Sequence, residues 1–229
     1  MSKVIRHISI DFWSTLYRPN PRFSDRRIDW LLEHFSDLIL DRETLSGVIK
    51  EVGRHNDTLT DSTGISRNQL ELYGEVFSRL GISINEIQLD SVCSELNMIF
   101  IENRPELILT EYAALLSRLS ESGITLSISS NTAFVSGCFL QKSIQLDGLQ
   151  DHFEFMVFSD LVGFSKPAFE FYKVVFDRVN RAHTIPLERK NVLHVGDNPI
   201  ADIQGATSFG FQALPIHTPD DLLKLEMYV

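Results

Sequence analysis

The chain has 229 residues, 43% of them apolar and 23% charged, and a formal charge of −10. That length suits one large domain, or a domain with a modest insertion, and can bury a substantial core. The acidic balance argues against a nucleic-acid partner, which usually meets a basic face, and no run approaches the ~20 apolar residues of a membrane span.

The first apolar stretch is too short and too polar for a signal peptide, so a reducing cytoplasm is the expected compartment. Cys93 and Cys138 form no C-x-x-C and no zinc spacing, and are expected to be buried free thiols. An alternating run predicts a strand over 4–10, closed by Asp11. A loop with Pro19, Asn20 and Pro21 follows. Residues 24–103 then read as helical throughout. Ser24 and Asp25 offer a cap for a helix with Ile28, Leu31, Leu32, Phe35 and Leu38 on its apolar face. Leu45, Val48, Ile49 and Val52 mark a second helix. Leu70 to Leu80, ended by Gly81, mark a third, and 84–101 a fourth. Four successive helices suggest a small bundle.

After Arg104-Pro105 the texture changes. Helices over 110–122, 134–146, 167–179 and 200–209 alternate with strands over 124–129, 155–158, 191–195 and 211–214. Such alternation predicts a doubly wound α/β fold: a parallel sheet with helices on both faces. The helical bundle interrupts it after the first strand. The expected division is a core of 1–18 and 105–229 and a helical insert of 19–104, with hinge strands near 16–19 and 104–107.

Four pieces carry potential chemistry: Asp11 with Thr15; Ser130-Asn131; Lys166 before Pro167; and Gly196-Asp197-Asn198-Pro199, followed by Asp202. A carboxylate at a strand's C-terminal end lies where open α/β sheets place reactive groups. Each piece alone has a plainer reading, because strand-end aspartates and Gly-Asp-Asn-Pro also make good turns. Three of the four end a predicted strand or open a predicted helix, which chance rarely supplies.

In that order the pieces resemble the motifs of the haloacid dehalogenase-like (HAD) superfamily, whose plan places a cap directly after the nucleophile loop. The resemblance covers the whole chain and implies a Rossmann-like core with a helical cap. It implies Asp11 as nucleophile, with Ser130 and Lys166 beside the transferring group. It implies Mg²⁺ held by Asp11, Asp197 and the backbone carbonyl of Trp13. Thr15, Trp13 and Asn131 would face the substrate, supported by Asp202 and Asn198. The expected partner is a small phosphorylated molecule, bound by a monomer or homodimer.

One position departs from the phosphatase pattern. Family phosphatases carry a general acid two residues after the nucleophile, and here that residue is Trp13. An indole N–H donates but does not titrate. Three outcomes stay open: a phosphohydrolase for leaving groups that need no proton, a 2-haloacid dehalogenase, or a non-catalytic binding protein. Family dehalogenases carry an aromatic residue at this position, but lack the Gly-Asp pair that this chain keeps at Gly196-Asp197. A phosphonate-cleaving branch uses a cap lysine. Lys50 is the sole lysine between 20 and 103, and its surroundings match that branch poorly, so a surface role is expected. Arg18, Arg22, Arg26 and Arg27 offer a site for a second anionic group, or simply a solvated basic face.

Overall fold

The computed structural model describes residues 5–38 and 41–228. In chain order it contains β1 (His7–Ile10), β2 (Tyr17–Arg18), α1 (Pro21–His34), α2 (Arg42–Thr63), α3 (Gln69–Arg79), α4 (Glu86–Glu102) and β3 (Glu106–Leu107). Then follow α5 (Glu111–Glu121), β4 (Thr125–Ser130), α6 (Gly137–Leu146), β5 (Phe155–Phe158), α7 (Ser159–Val162) and α8 (Phe169–Ala182). The chain closes with β6 (Val192–Gly196), α9 (Gly205–Phe209), β7 (Gln212–Pro215) and α10 (Pro219–Leu223). Residue 4, the expected start of the first strand, lies outside the described residues.

Five strands form one parallel sheet in the order β5-β4-β1-β6-β7. The chain winds outward to both sides of β1, so the switch point lies at the centre, where ligand crevices form in such sheets. One face of β1, β4 and β6 is apolar: Ile8, Ile10, Leu126, Ile128, Leu193 and Val195 are buried against the side chains of α5, α6 and α10. The opposite face is polar near the centre. His7, Ser9, Ser127, Ser129 and His194 are fully buried there and satisfy one another. His194 Nδ1 meets Ser9 Oγ at 3.0 Å, and Ser9 Oγ donates to Ser129 Oγ at 2.8 Å. His7 meets Ser127 Oγ at 2.9 Å and Thr125 Oγ1 at 2.7 Å.

The four helices α1–α4 bury a separate apolar cluster around Leu31, Val52, Leu72, Phe77 and Leu96. Antiparallel β2 and β3 pair with each other in the two stretches of chain that connect them to the rest. Helix α1 starts earlier than expected, because the Asn20 side chain accepts from Arg22 N and Pro21 fits the first turn. It ends at His34, which leaves Leu38 exposed. Helix α2 runs eleven residues past Val52, the last of the four apolar residues that mark it in sequence analysis, and stops at Gly64 in the left-handed region (φ 67°). Gly64 also latches the helices to the sheet. Its carbonyl accepts from Ser165 N at 2.8 Å, and a Cβ there would overlap Ala168.

Three further expectations are corrected. Pro167 opens no helix: the Lys166–Pro167 bond is cis and α8 begins at Phe169. Residues 199–204 wind as a π-helix capped by Asn198, and only the last turn of the expected helix is α. Cys93 is buried, but Cys138 faces outward from α6. Among the described residues no helix is long and apolar enough to cross a membrane.

Burial pushes the His7 imidazole down to about 3, and nearby His183 adds to the effect. The unfolded chain therefore binds a proton at His7 below pH 6.5 that the native fold refuses. Stability should fall as pH drops through that value, by about 2 kcal/mol at pH 5 from this group alone. Urea unfolding at pH 7 and pH 5 checks this. His7→Gln should lose that share of the pH dependence, and an unchanged slope in the variant would contradict it.

Candidate active site

Three neighbouring parallel strands end together. Asp11 follows β1, Ser130 closes β4, and Asp197 follows β6. Asp11 is fixed by its own N–H, which donates to Val195 O at 2.8 Å. The loop beyond folds tightly: Ser14 N donates to Tyr17 O at 2.8 Å, and Ser14 itself takes φ 58°. That is an uncommon conformation for a residue with a Cβ, and such strain gathers at functional loops.

Lys166 reaches this point from the loop between α7 and α8. Its buried Nζ donates to Asp11 Oδ1 at 2.7 Å, Asp202 Oδ1 at 2.5 Å and Ser129 O at 2.8 Å. Asn131 holds the lysine's backbone from both sides: Lys166 N donates to Asn131 Oδ1 at 2.8 Å and Asn131 Nδ2 donates to Lys166 O at 2.9 Å. Asp202 is equally committed. It meets His194 Nε2 at 3.1 Å and accepts from Asn198 N at 2.9 Å. Gly196 is required here because a Cβ would overlap the Asp202 carboxyl.

Burial pushes the Asp11 carboxyl up to about 7. Lys166 opposes that rise, while Asp202 and Asp197 add repulsion. Burial also disfavours charge on Asp202, but Lys166 and His194 outweigh it and hold its carboxyl well below the usual range. Burial works against the Lys166 ammonium too, and the two carboxylates overcome it. Burial and Asp202 raise Asp197.

Asp11, Asp197 and Asp202 each bring a carboxylate oxygen within 4.8 Å of the others. Both Asp202 oxygens are engaged, and Asp197 is in no ion pair among the described residues. Asp11 and Asp197 are thus the two that fit a cation. All-oxygen donors suit a hard ion such as Mg²⁺. Three carboxylates here face one ammonium, and a divalent ion would cancel the excess.

These groups line a cavity of about 410 Å³ that also takes in Trp13, Ser130, Asn131 and Asn198. Thr15 does not join them. It is fully buried behind the loop, its Oγ1 has no hydrogen-bond partner, and it is absent from the cavity wall. The Asn131 amide is spent on Lys166, not left free for a ligand. Trp13 packs edge-on against Phe12 at 4.8 Å and stands between this cavity and an apolar one of about 210 Å³.

None of Arg18, Arg22, Arg26 or Arg27 lines the cavity at Asp11. Arg18 pairs with Glu106, and Arg27 lies over the Phe23 and Phe134 rings and donates to Tyr73 Oη at 3.3 Å. Lys50 is exposed and also absent from the wall. The helices instead contribute Asn56, Asp57, Thr60 and Asp61 of α2, the last three of which sequence reasoning missed. Their signal was the spacing i, i+1, i+4, i+5, which puts four polar residues on one face of a helix.

A haloacid dehalogenase-like hydrolase family model matches residues 5–210. This chain belongs to the HAD-like hydrolases. Among solved structures, this HAD-like hydrolase is similar to a 2-haloacid dehalogenase from Pseudomonas syringae pv. Tomato DC3000, with 18% identity, 98% of each chain covered and a TM-score of 0.67. It is similar to a HAD phosphatase from Thermococcus onnurineus, with 16% identity, 93% of this chain and 86% of that one covered, and a TM-score of 0.65. It is also similar to YfnB from Bacillus subtilis, described as a HAD hydrolase bound to magnesium, with 18% identity, coverage of 93% and 87%, and a TM-score of 0.65. At these identities the likeness concerns the fold. A comparison with curated proteins finds no match.

Lys166→Met should leave Asp11 and Asp202 buried without their shared cation. The expected loss of stability is about 3–5 kcal/mol, read by urea unfolding at pH 7 without divalent ions. A loss well under 1 kcal/mol would show that the carboxylates do not depend on the ammonium.

Proposed function

We propose that this hydrolase cleaves small phosphorylated molecules, with Asp11 as the nucleophile and Mg²⁺ as cofactor, and that it lacks a general acid. The observation that carries this reading is the three-carboxylate cluster around Lys166, which fits a divalent cation beside the nucleophile. Residues 19–104 would act as the cap.

In this reading Asp11 attacks phosphorus and the bond to the leaving oxygen breaks, giving an aspartyl phosphate. Ser130 donates to a phosphate oxygen, and Lys166 offsets the charge on Asp11 and the transferring group. Asp11, Asp197 and the Trp13 carbonyl would hold Mg²⁺, which supplies charge neutralisation when bound. Asp202, Asn198 and Asn131 act on Lys166 and the Asp197 turn as positioning residues. Water then attacks phosphorus and releases Asp11.

Both halves normally use a proton shuttle, worth ~10²–10⁴ in rate. Trp13 supplies none. Aryl and acyl phosphates, whose leaving groups depart without a proton, should therefore exceed alkyl phosphates by roughly 10²–10⁴ in kcat/KM. A chelator should abolish both activities, and Trp13→Asp should raise the alkyl rate. Equal rates on the two classes would contradict the role given to position 13. A rival reading, carbon–halogen cleavage, draws on the aromatic residue at that position. Halide release from a 2-haloacid in the presence of a chelator would establish it.

A further inference from the structure

The wall of the cavity facing Asp11 is unusual for a site meant to receive an anion. Besides Asp11, Asp197 and Asp202 it carries Asp57 and Asp61 from α2, and among the described residues Lys166 is the sole cationic side chain lining it. Lys166 is already spent on Asp11 and Asp202. The Asp57 and Asp61 carboxylates have no hydrogen bond or ion pair among the described residues. Asp57 is exposed and Asp61 half-buried; partial desolvation raises both carboxyls, and Asp61 raises Asp57 further.

The second observation is Asn56, one residue before. It is only 3% exposed and lines the same cavity, yet its Oδ1 accepts no hydrogen bond. A buried carbonyl oxygen without a donor is costly and rare in native proteins. Asn56 and Thr60 are four residues apart, as are Asp57 and Asp61, so all lie along one helix face. That face offers acceptors and negative charge, and a donor-rich cation satisfies both.

We infer that the natural substrate carries a protonated amine at the end opposite its phosphate, held by Asn56 Oδ1 and the Asp57 and Asp61 carboxylates. This rests on the phosphohydrolase reading above. Such a molecule presents its phosphate to Lys166 and Ser130, and its ammonium to α2.

Three phenyl phosphates that differ only in the para substituent test it: one bearing an aminomethyl tail, one a methyl and one a carboxylate. The aminomethyl compound should lead the methyl compound in kcat/KM by on the order of ten-fold, and the carboxylate should come last. The lead should shrink with added salt. In the double variant Asp57→Asn/Asp61→Asn the ratio of the first two should fall toward one. Turnover of all three with no preference would overturn the inference and leave the phosphohydrolase reading standing. No turnover of any would overturn both. Absence of preference together with weaker Mg²⁺ activation in the double variant would assign the acidic face to a second metal ion and overturn the inference as well.

Discussion

Lys166 places one positive charge between two buried carboxylates, and the surrounding strand ends are built to keep it there. Its Nζ makes three short contacts, its backbone is clamped by Asn131, and its loop is fastened to α2 through Ser165 and Gly64. A buried ion pair is weak support for stability, because desolvation consumes most of the attraction. Its visible effect is on Asp11. It holds Asp11 at a fixed place where burial alone would drive the carboxyl toward its neutral form. Asp202, tied to His194 and so to Ser9 and Ser129, extends that hold into the sheet.

The fold was legible because its signals are strong ones. Alternation on β1 and β4, glycine after α3 and the shift to alternating elements at Arg104-Pro105 each have a direct structural meaning. The strand-end residues Asp11, Ser130 and Asp197 were legible for the same reason, since parallel strands carry their ends to one edge. The rest depends on packing that no local pattern records. Thr15 lies within the motif but turns inward. The polar half of α2 carries no apolar stripe beyond Val52, so its continuation to Thr63, and with it the wall of the cavity, left little trace. Asn131 looked free in sequence because its partner is the backbone of a residue 35 positions away.

Trp13 and the acidic face of α2 point in one direction. In the proposed reading, the site has strong means of holding a nucleophile and a cation, and weak means of moving a proton. The first half-reaction would then suit a good leaving group. The second would need water activated without a carboxylate at position 13, so the proposed covalent intermediate should build up instead of vanishing.

That intermediate offers the most direct measurement. Enzyme turning over acetyl phosphate with Mg²⁺ is quenched in acid, and the peptide containing Asp11 is weighed by mass spectrometry. The expected result is one phosphoryl group on Asp11, removed by hydroxylamine and missing from Asp11→Asn. Steady turnover with Asp11 unmodified, or with the phosphoryl group on another residue, would contradict the account.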